Sequence, residues 1–269
     1  RVDQELTEEA HNDPETFASE LVNSRGLDAL EYLLFKDEQT NQCKTTSKIN
    51  KDGVWQDLVD SGDLPSRIAT MAHTLSVLIV NEAQSLVDVW SGDDGFAKEL
   101  SGAGDTSAVY GSAQQALNAI SDAMFYVEKQ TKDMKIAHPA GVSSCVTDTC
   151  PEMLESRWAQ HSLENVAANF QALQLVFQGG PDAEADLGFD DILTEMGASA
   201  LADDFNANLV SAIDALAAAD KSFYAMLETN PEELMDIYTV VKGVTDLLKT
   251  EFVSTLDLEI PNRAATDND

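Results

Sequence analysis

"ESRWAQHSLENVAANFQALQLVF" (Glu155–Phe177) decides the fold class, because two different seams run along it at one helical pitch. Ala159, Leu163, Val166, Phe170, Leu173 and Phe177 step by alternating four and three residues, the spacing of an apolar face turned to a core. Beside them, with the same rhythm, run Glu155, Trp158, Ser162, Asn165 and Asn169. Ser and Asn are poor helix formers with little reason to recur on a solvent face. The second seam therefore reads as a buried or cleft-facing polar network, the plainer alternative being a stripe at the wet edge of a bundle.

The apolar rhythm continues on both sides. Downstream, Leu201, Phe205, Leu209, Ile213 and Leu216 predict one long helix, and Leu234, Ile237, Val241, Val244 and Leu248 another. Between these and the first seam come a "QGGPDAEADLG" loop and a short helical segment near "FDDILTEM". Upstream, Ile68, Met71, Leu75 and Ile79 share a stripe, as do Tyr110, Ala113, Leu117, Ile120, Met124 and Val127. In "NDPETFASELVNSRGLDALEYLLF", Asp13 can cap, Pro14 suits the first helical position, and Phe17 and Leu21 open the buried side. Leu27, Leu30 and Leu34 follow at helical spacing, then a loop from Lys36 to about Gly53. "IAHPAGVSSCVTDTCP" breaks the pattern with prolines and a glycine and marks the expected border between domains 1–137 and 138–269. The expectation is an all-α chain of two bundles.

Sixteen Lys and Arg against 48 Asp and Glu leave a net charge of −32. Such a chain lacks the basic patches that nucleic acid and anionic lipid require; its plain reading is a solvated acidic surface. The longest strongly apolar run, "LSVLIV" (Leu75–Val80), falls far short of the roughly 20 residues that span a bilayer. The chain opens at Arg1 without an initiator Met, as expected once an upstream leader has been removed. Cys145 and Cys150 suit a small disulfide loop of an oxidising compartment, while metal binding by the pair lacks a second pair to complete it. Cys43 stays unassigned. His161 and Glu164 stand one turn apart and read as a surface ion pair before a shared metal; His11, His73 and His138 stand alone. No HExxH, G-x-S-x-G or GxxxxGK[ST] occurs.

"SRGLDALEYLLF" (Ser24–Phe35) sets Asp28 and Glu31 one turn apart beside an apolar stripe, where two like charges repel. With "KDMKIAHPAG", "LESRWAQHSLENVAANFQALQLVFQGG", "LGFDDILTEMG" and the terminal "TDND" in that order, the chain resembles the imelysin-like family. These are iron-regulated, insulin-cleaving-peptidase-like proteins of the bacterial envelope. Members carry Gly-x-His-x-x-Glu before an "EYLL" helix; Gly26 and Glu31 match, and Asp28 takes the place of the histidine.

The resemblance implies an all-α fold of two four-helix-bundle-like halves related by duplication and packed together, the first lacking upstream helices. It also implies a pocket at their junction, built from Gly26, Tyr32, Ser156, Arg157, Ser162 and Asn165. The metal ligands it points to are Asp28, Glu31 and Glu155, oxygen donors that suit iron or another hard divalent or trivalent cation. Without a cation, one carboxylate of the pair would be partly protonated or paired with an arginine, Arg25 and Arg157 being the candidates. The implied protein works in iron uptake, in the periplasm or at the outer membrane surface, secreted or lipid-anchored upstream. It would bind a cation, an iron chelate or an iron-transport component of the envelope. An imelysin-type metallopeptidase and a non-catalytic interaction scaffold are the alternatives. No catalytic residue is assigned, since catalytic zinc needs three protein ligands.

Overall fold

Large apolar side chains every third or fourth residue can be buried together only if helices pack side by side. The computed structural model describes residues 1–8, 13–36, 39–92 and 94–265, and all regular structure among them is helical. His11 and the "TDND" end lie outside the described residues. The chain divides into two compact units, Arg1–Lys98 and Glu99–Asp269.

Unit 1 contains α1 (Val2–Leu6), α2 (Pro14–Phe17), α3 (Leu27–Phe35), α4 (Lys48–Lys51), α5 (Val54–Ser61) and α6 (Leu64–Ser91). Helices α1, α2, α3 and α5 all pack on α6, where Met71, Leu75 and Leu78 meet Phe17, Leu33, Trp55 and Leu58. Residues 14–35 are not one helix. α2 stops after Phe17, a 3-10 turn covers Val22–Ser24, and Gly26 at φ +92 lets the chain turn into α3. The buried face of α3 is Ala29 and Leu33. The expected stripe is corrected: Leu27 is 70% and Leu34 60% exposed, and Leu21 is exposed as well. The neighbouring side chain Tyr32 is tied to α1, and that anchor turns Ala29 and Leu33 inward. Helix α7 (Phe96–Ser101) crosses the division between the units.

In unit 2, Ser112 caps α8 (Ala113–Met124) by accepting the Gln115 N–H at 3.3 Å. Tyr110 lies before this helix, not on it. Beyond Phe125 and Tyr126 the chain runs as a π-helix over Val127–Ala137. There follow α9 (Ser162–Phe177), α10 (Phe189–Glu195), α11 (Ser199–Ala217), α12 (Phe223–Thr229) and α13 (Pro231–Leu247), the last continued by a π turn at Leu248–Phe252. The π-helix packs on α9, α9 on α11, α11 on α13, and α13 back on the π-helix, closing a ring. Its centre is aromatic: Phe177 stacks on Phe205 at 4.5 Å, and Phe252 lies 5.6 Å from Phe205 and 5.3 Å from Phe189.

Two boundaries differ from the sequence-based expectation. The division at Lys98/Glu99 precedes the helix 113–137, whereas the Pro/Gly loop had marked a border at 137/138. That loop joins neighbours within one ring, held by the Cys145–Cys150 disulfide and by the Cys150 N–H donating to Pro139 O at 2.9 Å. Pro and Gly end a helix whatever lies beyond it. Likewise α9 begins at Ser162, not at Glu155, where its polar seam begins in the sequence. Ser156 and Gln160 adopt left-handed φ of 51 and 54, which no right-handed helix accommodates.

Truncating Phe205 to Ala should lower the denaturant stability of unit 2 by about 3–5 kcal/mol, while the exposed Leu34→Ala should stay within about 0.5 kcal/mol. Urea unfolding followed by circular dichroism separates the two.

Candidate site residues in the two units

The acidic turn belongs to unit 1. Asp28 is exposed in the first turn of α3, where the helix dipole favours a carboxylate, and Glu31 is half-buried one turn on. Behind them α3 is fixed by a residue the motif does not contain. Buried Asp3 accepts the Tyr32 hydroxyl on both carboxylate oxygens at 2.8 Å and the Gln42 N–H at 2.8 Å. Lys36 Nζ stands 3.5 Å from Asp3 Oδ1, over the rings of Tyr32 at 4.9 Å and Trp55 at 5.5 Å. Burial, and then the bond to Asp3, hold the Tyr32 hydroxyl far above the ordinary tyrosine range. Burial, seconded by Asp3, also pushes the Cys43 thiol up. Arg25, the nearest candidate to neutralise the acidic pair, instead meets Glu82 at 3.3 Å.

The polar seam belongs to unit 2, where part of it leaves the helix. Glu155, Ser156, Arg157 and Trp158 lie in the turns before α9, while Ser162, Asn165 and Asn169 lie on it. The turns fold back so that the two parts still meet. Ser162 Oγ donates to the Glu155 carbonyl, and Asn165 Nδ2 donates to Ser156 Oγ at 2.9 Å. Lys135 of the π-helix reaches the Glu155 carboxylate at 3.1 Å and donates to Asn169 Oδ1 at 3.0 Å. Thr131 donates to the same oxygen at 3.3 Å. Arg157 lays its guanidinium on the Trp158 ring at 4.4 Å. His161 and Glu164 form a 3.6 Å pair with both side chains 60% exposed.

Deeper in the ring lies a charge network that sequence reading missed. Lys132 is fully buried, 2.9 Å from Asp133 Oδ1 and 3.5 Å from Glu128 Oε1. Lys249, from the second π turn, reaches Glu128 Oε1 at 2.8 Å, and Lys129 reaches Asp133 Oδ2 at 2.7 Å. A π-helix widens each turn by one residue, so buried positions come in groups at 127–128, 131–133 and 136–137. Glu128, Lys132 and Asp133 thus face inward together, which an α-helix would not allow. Its one sequence signal was four charges, "EKQTKD", within a stretch whose flanks are core.

The family model for imelysin (peptidase M75) matches residues 1–250. The chain belongs to the imelysin family. No curated protein sequence and no solved structure matches it. Measured against the imelysin resemblance, Gly26, Asp28, Glu31 and Tyr32 share one helix start in unit 1. Glu155, Ser156, Ser162 and Asn165 form one connected cluster in unit 2. Among the described residues no three His, Cys, Asp or Glu side chains gather closely enough to hold a metal ion, and no helix is long and apolar enough to cross a membrane. On donor chemistry Asp28 and Glu31 fit a hard cation completed by solvent oxygens. Glu155 fits less well, because the Lys135 ammonium already occupies its carboxylate.

Lys132→Met should destabilise unit 2 by about 1–3 kcal/mol, since it takes from Glu128 and Asp133 the fully buried partner they share and leaves them Lys249 and Lys129 alone; the loss should persist in high salt, which screens buried charges little. In unit 1 the fold keeps Tyr32 and Cys43 protonated above their unfolded pKa values. That stability is complete below those values and lost as pH rises past about 9–10. Alkaline unfolding of unit 1, tracked by Trp55 fluorescence, should therefore steepen above that range, and Tyr32→Phe should flatten it.

Proposed function

We propose that this imelysin-family protein is a binding component of iron acquisition in the bacterial envelope, periplasmic or held at the outer membrane surface. It acts there on a hard cation or its chelate, not as a peptidase. The observation that carries the reading is the placement of Asp28 and Glu31. They lie off the Ala29/Leu33 face that α3 buries, on a helix start anchored from behind by Asp3, so a cation held there would not disturb the core. With aspartate in the histidine's place the pair offers oxygen alone, a donor set for ferric iron, calcium, magnesium or manganese over zinc. The second cluster, with Lys135, Ser156, Arg157 and Asn165, offers hydrogen-bond donors that suit the anionic oxygens of a chelate or an envelope partner.

Calorimetric titration with ferric citrate and with manganese should show a binding event in the wild-type chain that is lost in Asp28→Ala/Glu31→Ala. Equal binding by both would eliminate the acidic pair. Chelator-sensitive cleavage of an unfolded protein in the presence of zinc would overturn the reading in favour of the metallopeptidase alternative. A double variant that melts earlier yet binds unchanged would favour the scaffold.

A further inference from the structure

The loop between α9 and α10 takes no part in the acidic turn, the polar cluster or the charge network, yet it is tightly built. Asp186 N–H donates to Asp182 O at 2.7 Å, Asp182 N–H to Asp186 Oδ2 at 3.0 Å, and Gly188 N–H to Asp191 Oδ2 at 2.9 Å. A Cβ on Gly179 would collide with Leu187 O, and one on Gly188 with Phe177 O, so the two ends of the loop are pressed together. Compact surface loops closed this way are frequently functional. This one holds Leu187 out, 85% exposed.

Under Leu187 lies a groove of about 750 Å³ within unit 2, floored by Leu117 and Ile120 of α8, Leu175 and Val176 of α9 and Ile192 of α10. Leu175 and Val176 are exposed there although they immediately precede Phe177 of the aromatic centre. The charged groups on the groove are Asp191 and Glu195, and the loop adds Asp182, Glu184 and Asp186. No Lys or Arg is among the described residues that line it.

We propose that this groove docks a cationic amphipathic helical segment of a partner protein, large apolar residues entering beside Leu187 and Lys or Arg facing the carboxylate rim. An apolar anchor in a pocket ringed by complementary charge is the arrangement that gives protein interfaces both affinity and orientation. The pinned loop presents Leu187 without the ordering cost of a mobile one. The rim also discriminates between occupants. A second copy seated face to face would set these carboxylates against themselves, and an anionic lipid surface would be repelled.

The probe is a labelled synthetic helix of about 18 residues, long enough to hold helical structure, with leucines on one face and lysines on the other. Its controls are a scrambled peptide that scatters the leucines and a version with glutamates for the lysines. Anisotropy with the full chain should show binding of the first peptide only. Leu187→Ser/Val176→Ser should weaken it at least about tenfold at an unchanged melting temperature, and the exposed Glu195→Lys should weaken it as well. Equal binding of the scrambled peptide, no loss in Leu187→Ser/Val176→Ser, or no binding at all would overturn the proposal. So would sedimentation showing a wild-type dimer that the double variant disperses, which would assign the face to self-association.

Discussion

A lysine in the middle of a helical ring is tolerated only if its charge is matched on the spot, and the second unit is organised around that requirement. Lys132 has no exposed surface and lies between Glu128 and Asp133, with Lys249 and Lys129 completing the neutralisation from either side. Desolvating such groups costs several kcal/mol each, repaid only when the geometry supplies every partner. The π register supplies most of them, because it turns positions four and five residues apart to the same side; Glu128 Oε2 alone in this network stays buried without a hydrogen bond among the described residues. The second π turn, at Leu248–Phe252, delivers Lys249 to the same glutamate. The two irregular segments are thus two ends of one electrostatic contact.

The same register carries Lys135 and Thr131 to Asn169, and Lys135 to Glu155. The buried network and the polar cluster before α9 are therefore continuous along one π-helix: rigid charge pairs below, hydrogen-bonding groups nearer the surface. In unit 1 a different device has a similar effect. A buried carboxylate, Asp3, gathers a tyrosine, a backbone amide and a lysine, and so fixes the helix that displays Asp28 and Glu31. In both units the residues proposed to meet a ligand lie beside buried charge, which steadies the backbone that carries them.

Much of the fold was legible because apolar periodicity is a local signal. The stripes from Leu201 to Leu216 and from Leu234 to Leu248 fall on buried faces, apart from half-buried Ile213. The disulfide followed from spacing. The misreadings came where periodicity was extended through residues that could follow it but did not. Leu27 and Leu34 have core spacing, yet a short helix anchored through Tyr32 can bury only one face. Glu155 and Trp158 continue the seam of α9 in register, yet the left-handed residues Ser156 and Gln160 break the helix between them. The polar cluster survived that error, since the turn folds Ser156 and Glu155 back onto Asn165 and Ser162.

What the sequence determined by itself was the helical class, the buried faces of the long helices and the membership suggested by the "RGLDALEYLLF" motif, all of which depend on neighbours within a few residues. Tertiary structure alone decided that Asp3 would hold Tyr32 across 29 positions, that Lys249 would meet Glu128 across 121, and that the chain would divide before α8. The physical reason is that pairing a buried charge is a long-range condition. A carboxylate looks the same in sequence whether it faces water or a lysine brought from the far end of the chain, and only packing distinguishes the two.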